Sequence, residues 1–238
     1  MNVLIVYAHP EPTSFNAALK DRAVAALTAA GHSVVVSDLH AEGFNPVPGR
    51  HDFATVADAT RFHYQTEQQK AALEGGFARD VAREQARMAA ADILILQYPM
   101  WWGGVPAILK GWFDRVLAYG FAYVDGRRFD TGLFKGRRAM ISVTTGATPE
   151  RYSAGGVYGE IDRALWQPQK LTLEYMGYEV AAPFVAFAAP RVDEAQRSAY
   201  LDQLVARVLT LTVKPIAREV DDMGTSAGRG AADWSRPV

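Results

Sequence analysis

The chain has no cysteine. That excludes disulfides, thiolate nucleophiles, cysteine-ligated zinc and iron–sulfur clusters, so any redox chemistry must belong to a cofactor held by other means. Long apolar runs are also missing; none approaches the ~20 residues of a membrane-spanning helix. The opening Met1-Asn2-Val3-Leu4-Ile5-Val6-Tyr7 lacks the charged start and apolar stretch of a signal peptide, and a cytoplasmic location is the expectation. Charge of one sign is scarce: 25 Lys and Arg stand against 26 Asp and Glu, a net charge of -1. No broad basic field is available to draw in nucleic acid or an anionic membrane. The five histidines, His9, His32, His40, His51 and His63, have no metal-like spacing. Ser14 and Ser153 lack the G-x-S-x-G context of a nucleophile elbow. Hydrolase and metalloenzyme chemistry are thereby set aside.

What is present is a parallel-sheet pattern. Hydrophobic residues make up 49% of the 238, in short β-branched runs that alternate with longer helical stretches. Strands are expected at Val3–Tyr7, Ser33–Asp38, Asp92–Tyr98, Arg138–Thr144 and Glu179–Phe187. Helices are expected at about Phe15–Ala30, at Gln65–Ala90 with a break at Gly75-Gly76, at Ala107–Leu117 with Pro106 in its first turn, and around Gly159–Met176 and Asp193–Leu211. His40 to about Tyr64 reads as an ordered excursion. The fold class is α/β: a doubly wound five-stranded parallel sheet, order 2-1-3-4-5, helices on both faces. One domain spans residues 1–212, and 213–238 form an extension with little regular structure. Ligands of such sheets bind at the carboxyl ends of the strands. There the unusual sequence collects, at His9–Asn16, Pro99–Gly104 and Thr144–Tyr152.

Each of these segments has an ordinary and a chemical reading. Thr13 or Ser14 caps the first helix, and the free N–H groups of that turn, with His9 beside them, suit a phosphate. An N-cap with a surface histidine is the bland alternative. No G-x-G-x-x-G follows the first strand, so a phosphate here would use hydroxyls instead. Trp101 and Trp102 cannot both face one core, and Gly103 and Gly104 would let backbone approach a flat ring; a tryptophan-rich core loop or subunit contact is the alternative. Thr144-Thr145-Gly146-Ala147 offers hydroxyls and amides to the polar edge of a heterocycle, or is a common strand exit. Tyr152 and Tyr158 are phenols able to donate toward developing negative charge, or simply packed.

The stretches His9 with Thr13-Ser14-Phe15-Asn16, Phe44-Asn45-Pro46, Gly104-Val105-Pro106-Ala107-Ile108-Leu109-Lys110-Gly111-Trp112-Phe113-Asp114-Arg115-Val116, Gly120-Phe121-Ala122-Tyr123, Thr144-Thr145-Gly146 and Tyr152-Ser153 resemble the NAD(P)H:quinone oxidoreductases of the flavodoxin-like fold, the DT-diaphorase group and its bacterial relatives. The likeness runs unbroken over roughly residues 1–210. It implies a flavoprotein, FAD with FMN as the alternative, reduced by NADPH or NADH and reoxidised by a quinone-like acceptor in a two-electron ping-pong cycle. His9, Thr13, Ser14, Phe15 and Asn16 match the diphosphate loop; Pro99, Met100, Trp101, Trp102 and Gly103 match the segment along the flavin ring. Thr144, Thr145, Gly146 and Ala147 match the holders of the ring's polar edge, and Arg197 an arginine near adenine. Tyr152 and Tyr158 occupy the catalytic positions, Tyr158 where the best-known members have histidine; a phenol is not a cation near neutral pH, so its role reduces to hydrogen bonding. Trp102, Gly103, Tyr123, Asp125 and Tyr175 would line the substrate pocket, with Tyr123 reaching into a second subunit of a homodimer. Gly103 in place of an aromatic, Asp125 in place of a tyrosine and Ala147 in place of a glycine imply a wider, more polar pocket. Within the same fold, the resemblance leaves open an FMN-dependent azo- or nitro-type reductase, or an ancillary subunit of a potassium-efflux system. A flavodoxin-like electron carrier is a separate class.

Overall fold

The computed structural model describes residues 1–217. The expected extension lies outside the described residues from position 218 on. Strands β1 (Asn2–Tyr7), β2 (Ser33–Asp38), β3 (Ile93–Pro99) and β4 (Arg138–Thr144) are joined by α1 (Phe15–Ala29), α2 (Tyr64–Glu74), α3 (Arg79–Ala90) and α4 (Ala107–Val116). After β4 come α5 (Ile161–Pro168), β5 (Glu179–Val180), β6 (Phe184–Ala186) and α6 (Glu194–Thr210). The sheet order is β2-β1-β3-β4-β5, all parallel, and β6 also pairs with β4.

Strand side chains alternate between faces, and here both faces are covered. Leu4 and Val6 of β1 join Leu94, Leu96, Trp112 and Phe134 in one core. Val3 and Ile5 join Leu19, Leu27, Ile93, Ile95 and Val208 in the other. Every residue of β3 is buried, which explains its apolar run Ile93-Leu94-Ile95-Leu96.

Three boundaries differ from the sequence expectation. The fifth strand is split: Arg138 and Ala139 pair with β5, Ser142 to Thr144 with β6, and Ala181–Pro183 intervene. Pro183 has no N–H for the ladder and constrains Ala182 before it. Pro106 precedes α4 rather than opening it; its ψ of 150 keeps it extended, while its carbonyl accepts from Leu109 and Lys110 N–H groups, both at 2.9 Å. The helix after Gly159 is α5 followed by a wide π turn over Gln169–Glu174, because Pro168 can neither donate backward nor fit beneath the preceding turn. The break in the long second helix falls as expected, at Gly75 with φ 70.

The excursion between β2 and α2 is tied down by one buried arginine. Arg115 of α4 donates from Nε to Asp52 at 2.7 Å and from Nη1 to the Asn45 carbonyl at 2.7 Å. It also pairs with Asp80 at 2.8 Å and stacks on the Phe44 ring, 4.8 Å from its centroid. Tyr64 donates to the other Asp52 oxygen. Burial first, then that hydrogen bond, push the Tyr64 hydroxyl far above its usual range, so it remains a donor. α4 meets the excursion at Gly111, where a Cβ would stand 2.1 Å from the Pro46 carbonyl oxygen.

Candidate active site

Three loops meet at the carboxyl ends of β1, β3 and β4. In the first, Ser14 is the helix cap: its Oγ accepts from Ala17 N–H at 3.1 Å and lies 3.3 Å from the Tyr7 hydroxyl. Thr13 turns aside, both its N–H and hydroxyl donating to Glu11. His9 accepts the Glu11 N–H on Nδ1 at 3.0 Å, which leaves Nε2 as the donor of the neutral ring. Asn16 is buried and bonded at both ends of its amide. It donates to Thr144 Oγ1 at 2.9 Å and its carbonyl accepts from Gln97 at 2.9 Å. This side chain fastens α1 to β3 and β4 and holds the loop in place. Phe15 lies under the Arg197 guanidinium, its ring centroid 5.4 Å from the guanidinium carbon, so the first loop packs against the arginine expected near adenine.

The second loop is a tight hairpin. Trp101 and Gly104 exchange backbone hydrogen bonds at 3.1 and 3.0 Å, and the two residues between them, Trp102 and Gly103, have φ of 51 and 74. Two successive positive φ values are those of a type I′ turn, where glycine is at ease and a tryptophan costs about 1–2 kcal/mol. The Trp102 side chain stands fully exposed at the tip. Met100 N–H, bonded to the Thr144 carbonyl at 2.8 Å, anchors the hairpin to β4.

The third loop is zipped to the chain leaving β6. Ala189 and Ala188 N–H groups donate to the carbonyls of Thr145 and Ala147 at 3.0 and 2.9 Å, and Arg191 Nη1 donates to the Gly146 carbonyl. Tyr152 and Tyr158 are in ring contact, centroids 5.2 Å apart and planes inclined by 42°. The Tyr152 hydroxyl donates to the Met100 thioether at 3.1 Å, a weak acceptor that a ligand oxygen or nitrogen would readily replace.

Between hairpin and third loop opens a cleft of about 630 Å³. Met100, Trp102, Gly103, Thr145, Gly146 and Ala147 line it on the sheet side; Thr148, Arg151, Tyr152, Tyr158 and Arg191 complete it. A second cavity, about 510 Å³, sits at the opposite, amino end of β4 and β5 among Phe129, Lys135, Lys170 and Glu179, away from these loops.

The cleft fits a planar aromatic cofactor on one observation. A Cβ at Gly104 would meet nothing within 4 Å, and one at Gly146 only the Arg191 guanidinium at 3.7 Å, though neither residue needs a positive φ. The fold does not require these glycines, and the bare backbone there leaves room for a flat ring.

The expected pocket residues do not all meet in one chain. Trp102 and Gly103 line the cleft, whereas Tyr123 and Tyr175 line a separate cavity of about 190 Å³ between α4 and the π turn. There Tyr123 packs edge-on against Tyr119 and Tyr175, with centroids at 5.5 and 6.2 Å. Asp125 accepts from the Tyr119 hydroxyl at 3.4 Å. Burial first, then neighbouring Tyr175 and Asp125, raise the Tyr123 hydroxyl above its usual range. Arg151, Arg191, Thr148 and Gln97 were not singled out from the sequence. Arg191 had an available signal, since it follows the last strand at its carboxyl end; Arg151 directly precedes Tyr152.

Residues 1–208 match the family described as flavodoxin-like fold. The ribosyldihydronicotinamide dehydrogenase [quinone] of Pongo abelii is 42% identical over 88% of this chain and 91% of its own length. The NAD(P)H dehydrogenase [quinone] 1 of Rattus norvegicus is 44% identical over 78% of this chain and 68% of its own. A solved structure of a candidate quinone reductase from Klebsiella pneumoniae superposes with a TM-score of 0.87 at 38% identity, covering 91% of this chain and 86% of that one.

Proposed function

We propose a catalytic cycle from one premise: the chain belongs to the flavodoxin-like-fold family and, within it, to the NAD(P)H:quinone oxidoreductases. It is an NAD(P)H dehydrogenase (quinone), transferring two electrons from a reduced nicotinamide through flavin to a quinone-like acceptor. Bound flavin supplies the hydride-accepting and hydride-donating centre that a cysteine-free protein cannot supply itself.

The chain's own residues bind, orient and stabilise. The N-terminus of α1 with Ser14 and the His9 Nε2–H receives the diphosphate, where free N–H groups and the helix dipole favour negative charge. Pro99 to Gly104 would border one side of the ring, and Thr144, Thr145 and Gly146 its polar edge. Tyr152, whose hydroxyl now rests on the Met100 sulfur, would donate to the negative charge that reduction develops, with Tyr158 holding the Tyr152 ring by packing. Gly146, a glycine the fold does not need, lines the same cleft as Tyr152, and that pairing carries this assignment.

FAD is the assigned cofactor, supported by the Phe15–Arg197 pair beyond the diphosphate site, a planar cationic surface suited to adenine. A homodimer is assigned because part of the expected pocket, Tyr123 and Tyr175, lies away from the cleft, in a cavity that the exposed Leu171 also lines. No helix among the described residues is long and apolar enough to cross a membrane; a cytoplasmic location, where reduced nicotinamides are at hand, is part of the same reading.

Anaerobic spectroscopy tests the assignment. The purified yellow protein should bleach on adding NADPH and recolour on adding menadione, without a semiquinone band, and acid extraction should release FAD. Flavin that stays oxidised in NADPH would overturn the enzyme reading, and release of FMN would overturn the cofactor. A monomer by analytical ultracentrifugation would remove the dimer.

A further inference from the structure

The cleft carries a charge that the hydride step does not use. Of its lining residues, two are arginines and none is an aspartate or glutamate, in a chain whose net charge is -1. Neither arginine is paired with a carboxylate among the described residues.

Both are held in place by backbone. Arg151 donates its N–H to the Thr148 carbonyl at 3.2 Å and accepts from Tyr158 N–H at 3.0 Å. The loop closes tightly over it: a Cβ on Gly156 would stand 2.4 Å from the carbonyl oxygens of Glu150 and Arg151. Glu150 is engaged elsewhere, its carboxyl held below the usual range first by the Thr148 side chain. Arg191 closes a turn with its N–H on the Ala188 carbonyl at 2.7 Å, and one guanidinium nitrogen rests on the Gly146 carbonyl. A guanidinium has five N–H donors, so most of the Arg191 fork remains free toward the cleft.

A nicotinamide ring entering between Trp102 and Tyr152 must leave its ribose, and whatever the ribose carries, at the rim. The relatives described above are named for donors that differ there: a riboside has no phosphate, NAD(P)H has at least two. Quinones bring no anion. We propose that Arg151 and Arg191 form an anion-recognising rim that selects a phosphate-bearing dihydronicotinamide over the uncharged riboside as reductant. This rests on the quinone-reductase reading of the same cleft. The fork geometry matches phosphate, and such charge-assisted contacts weaken as salt screens them.

The experiment compares N-ribosyldihydronicotinamide, its 5′-phosphate and NADPH as reductants of the holoenzyme, each with menadione. The riboside serves as internal reference in every variant. In the wild type, kcat/KM should rise with phosphate, chiefly through KM, and that advantage should shrink with added salt. In Arg151→Gln and Arg191→Gln the ratio of phosphate-bearing donor to riboside should fall about tenfold each, the worth of one charge-assisted hydrogen bond. Arg191→Lys should recover part of it. Calorimetric titration with NADP+, which transfers no hydride to the oxidised protein, should show the same losses in affinity. Equal ratios in wild type and variants would overturn the proposal. Loss of bound flavin from Arg191→Gln with an unchanged ratio would also overturn it and assign the arginine to the cofactor. Failure of every donor, riboside included, to bleach the flavin would instead bring down the quinone-reductase reading.

Discussion

Arginine occurs in this protein in two opposite settings. Arg115 is 1% exposed and meets Asp52, Asp80, the Asn45 carbonyl and the Phe44 ring at once. Arg151 and Arg191 are exposed on a cleft with no carboxylate in its lining. A charge taken out of water must find its partners within the chain, and once saturated it has nothing left to offer a ligand. A charge left at the mouth of a cavity keeps its donors for a visitor. The glycines divide the same way: Gly111 is demanded by a neighbouring backbone, whereas Gly104 faces empty space. Structural and functional residues are told apart here by whether their requirements are met inside the chain.

The strongest test of that contrast is Arg115→Met. It strands the buried Asp52 and should cost about 3–5 kcal/mol of stability, read from the urea midpoint; an unchanged midpoint would mean the buried cluster is dispensable. Next comes a pair of alanines. Gly111→Ala drives a methyl into the Pro46 carbonyl and should cost about 1–3 kcal/mol, visible as a lower Tm. Gly104→Ala should leave the Tm of the flavin-free protein in place and weaken flavin binding, and the reverse pattern would break the comparison. Tyr152→Phe should slow anaerobic bleaching by NADPH about tenfold, the value of one hydrogen bond to developing charge, with little change in Tm. The smallest effect concerns acid. Burial opposes ionisation of Asp80, but the hydrogen bond and charge of Arg115 together outweigh it and hold the carboxyl below its usual range. A depressed carboxyl stabilises the fold above its unfolded value, about pH 4, and that contribution is lost as pH falls through the lower folded value. Urea midpoints between pH 5 and pH 3 should therefore decline, and Arg115→Met should remove Asp80's share of the slope.

Much of this was legible in the sequence because it is local. Short apolar runs and helical spacing gave the strands and helices, the family resemblance gave the strand order, and the carboxyl-end rule for doubly wound sheets pointed to the loops that enclose the cleft. Ser14 as one of two cap candidates and the break at Gly75 were readable from residue type and position, whereas the pairing of Tyr152 with Tyr158 came from the family resemblance. What escaped depends on partners far along the chain. The Asp52–Arg115 pair spans 63 positions, and the Asn16–Thr144 bond 128, so no window shows that Asn16 ties α1 to the sheet inside the core. The split of the last strand was a different kind of miss. Pro183 is visible, but its β-branched and aromatic surroundings read as one strand until β4 is seen pairing on either side of the gap. Arg191 was overlooked because the turn that presents it follows a strand whose end was placed at Phe187.

The hairpin after β3 also makes the protein its own optical gauge. Trp102 stands in water at the cleft with Trp101 half-exposed beside it, whereas Trp112 is sealed in the core with its indole N–H on Glu84. Their emission should separate accordingly, the hairpin pair at longer wavelength and Trp112 at shorter. A flavin settling against Gly104 lies beside the first pair, so the red side of the spectrum should dim on loading while the blue side dims less. Cofactor occupancy could then be followed from tryptophan light alone, with Trp102→Phe as the control that blunts the signal.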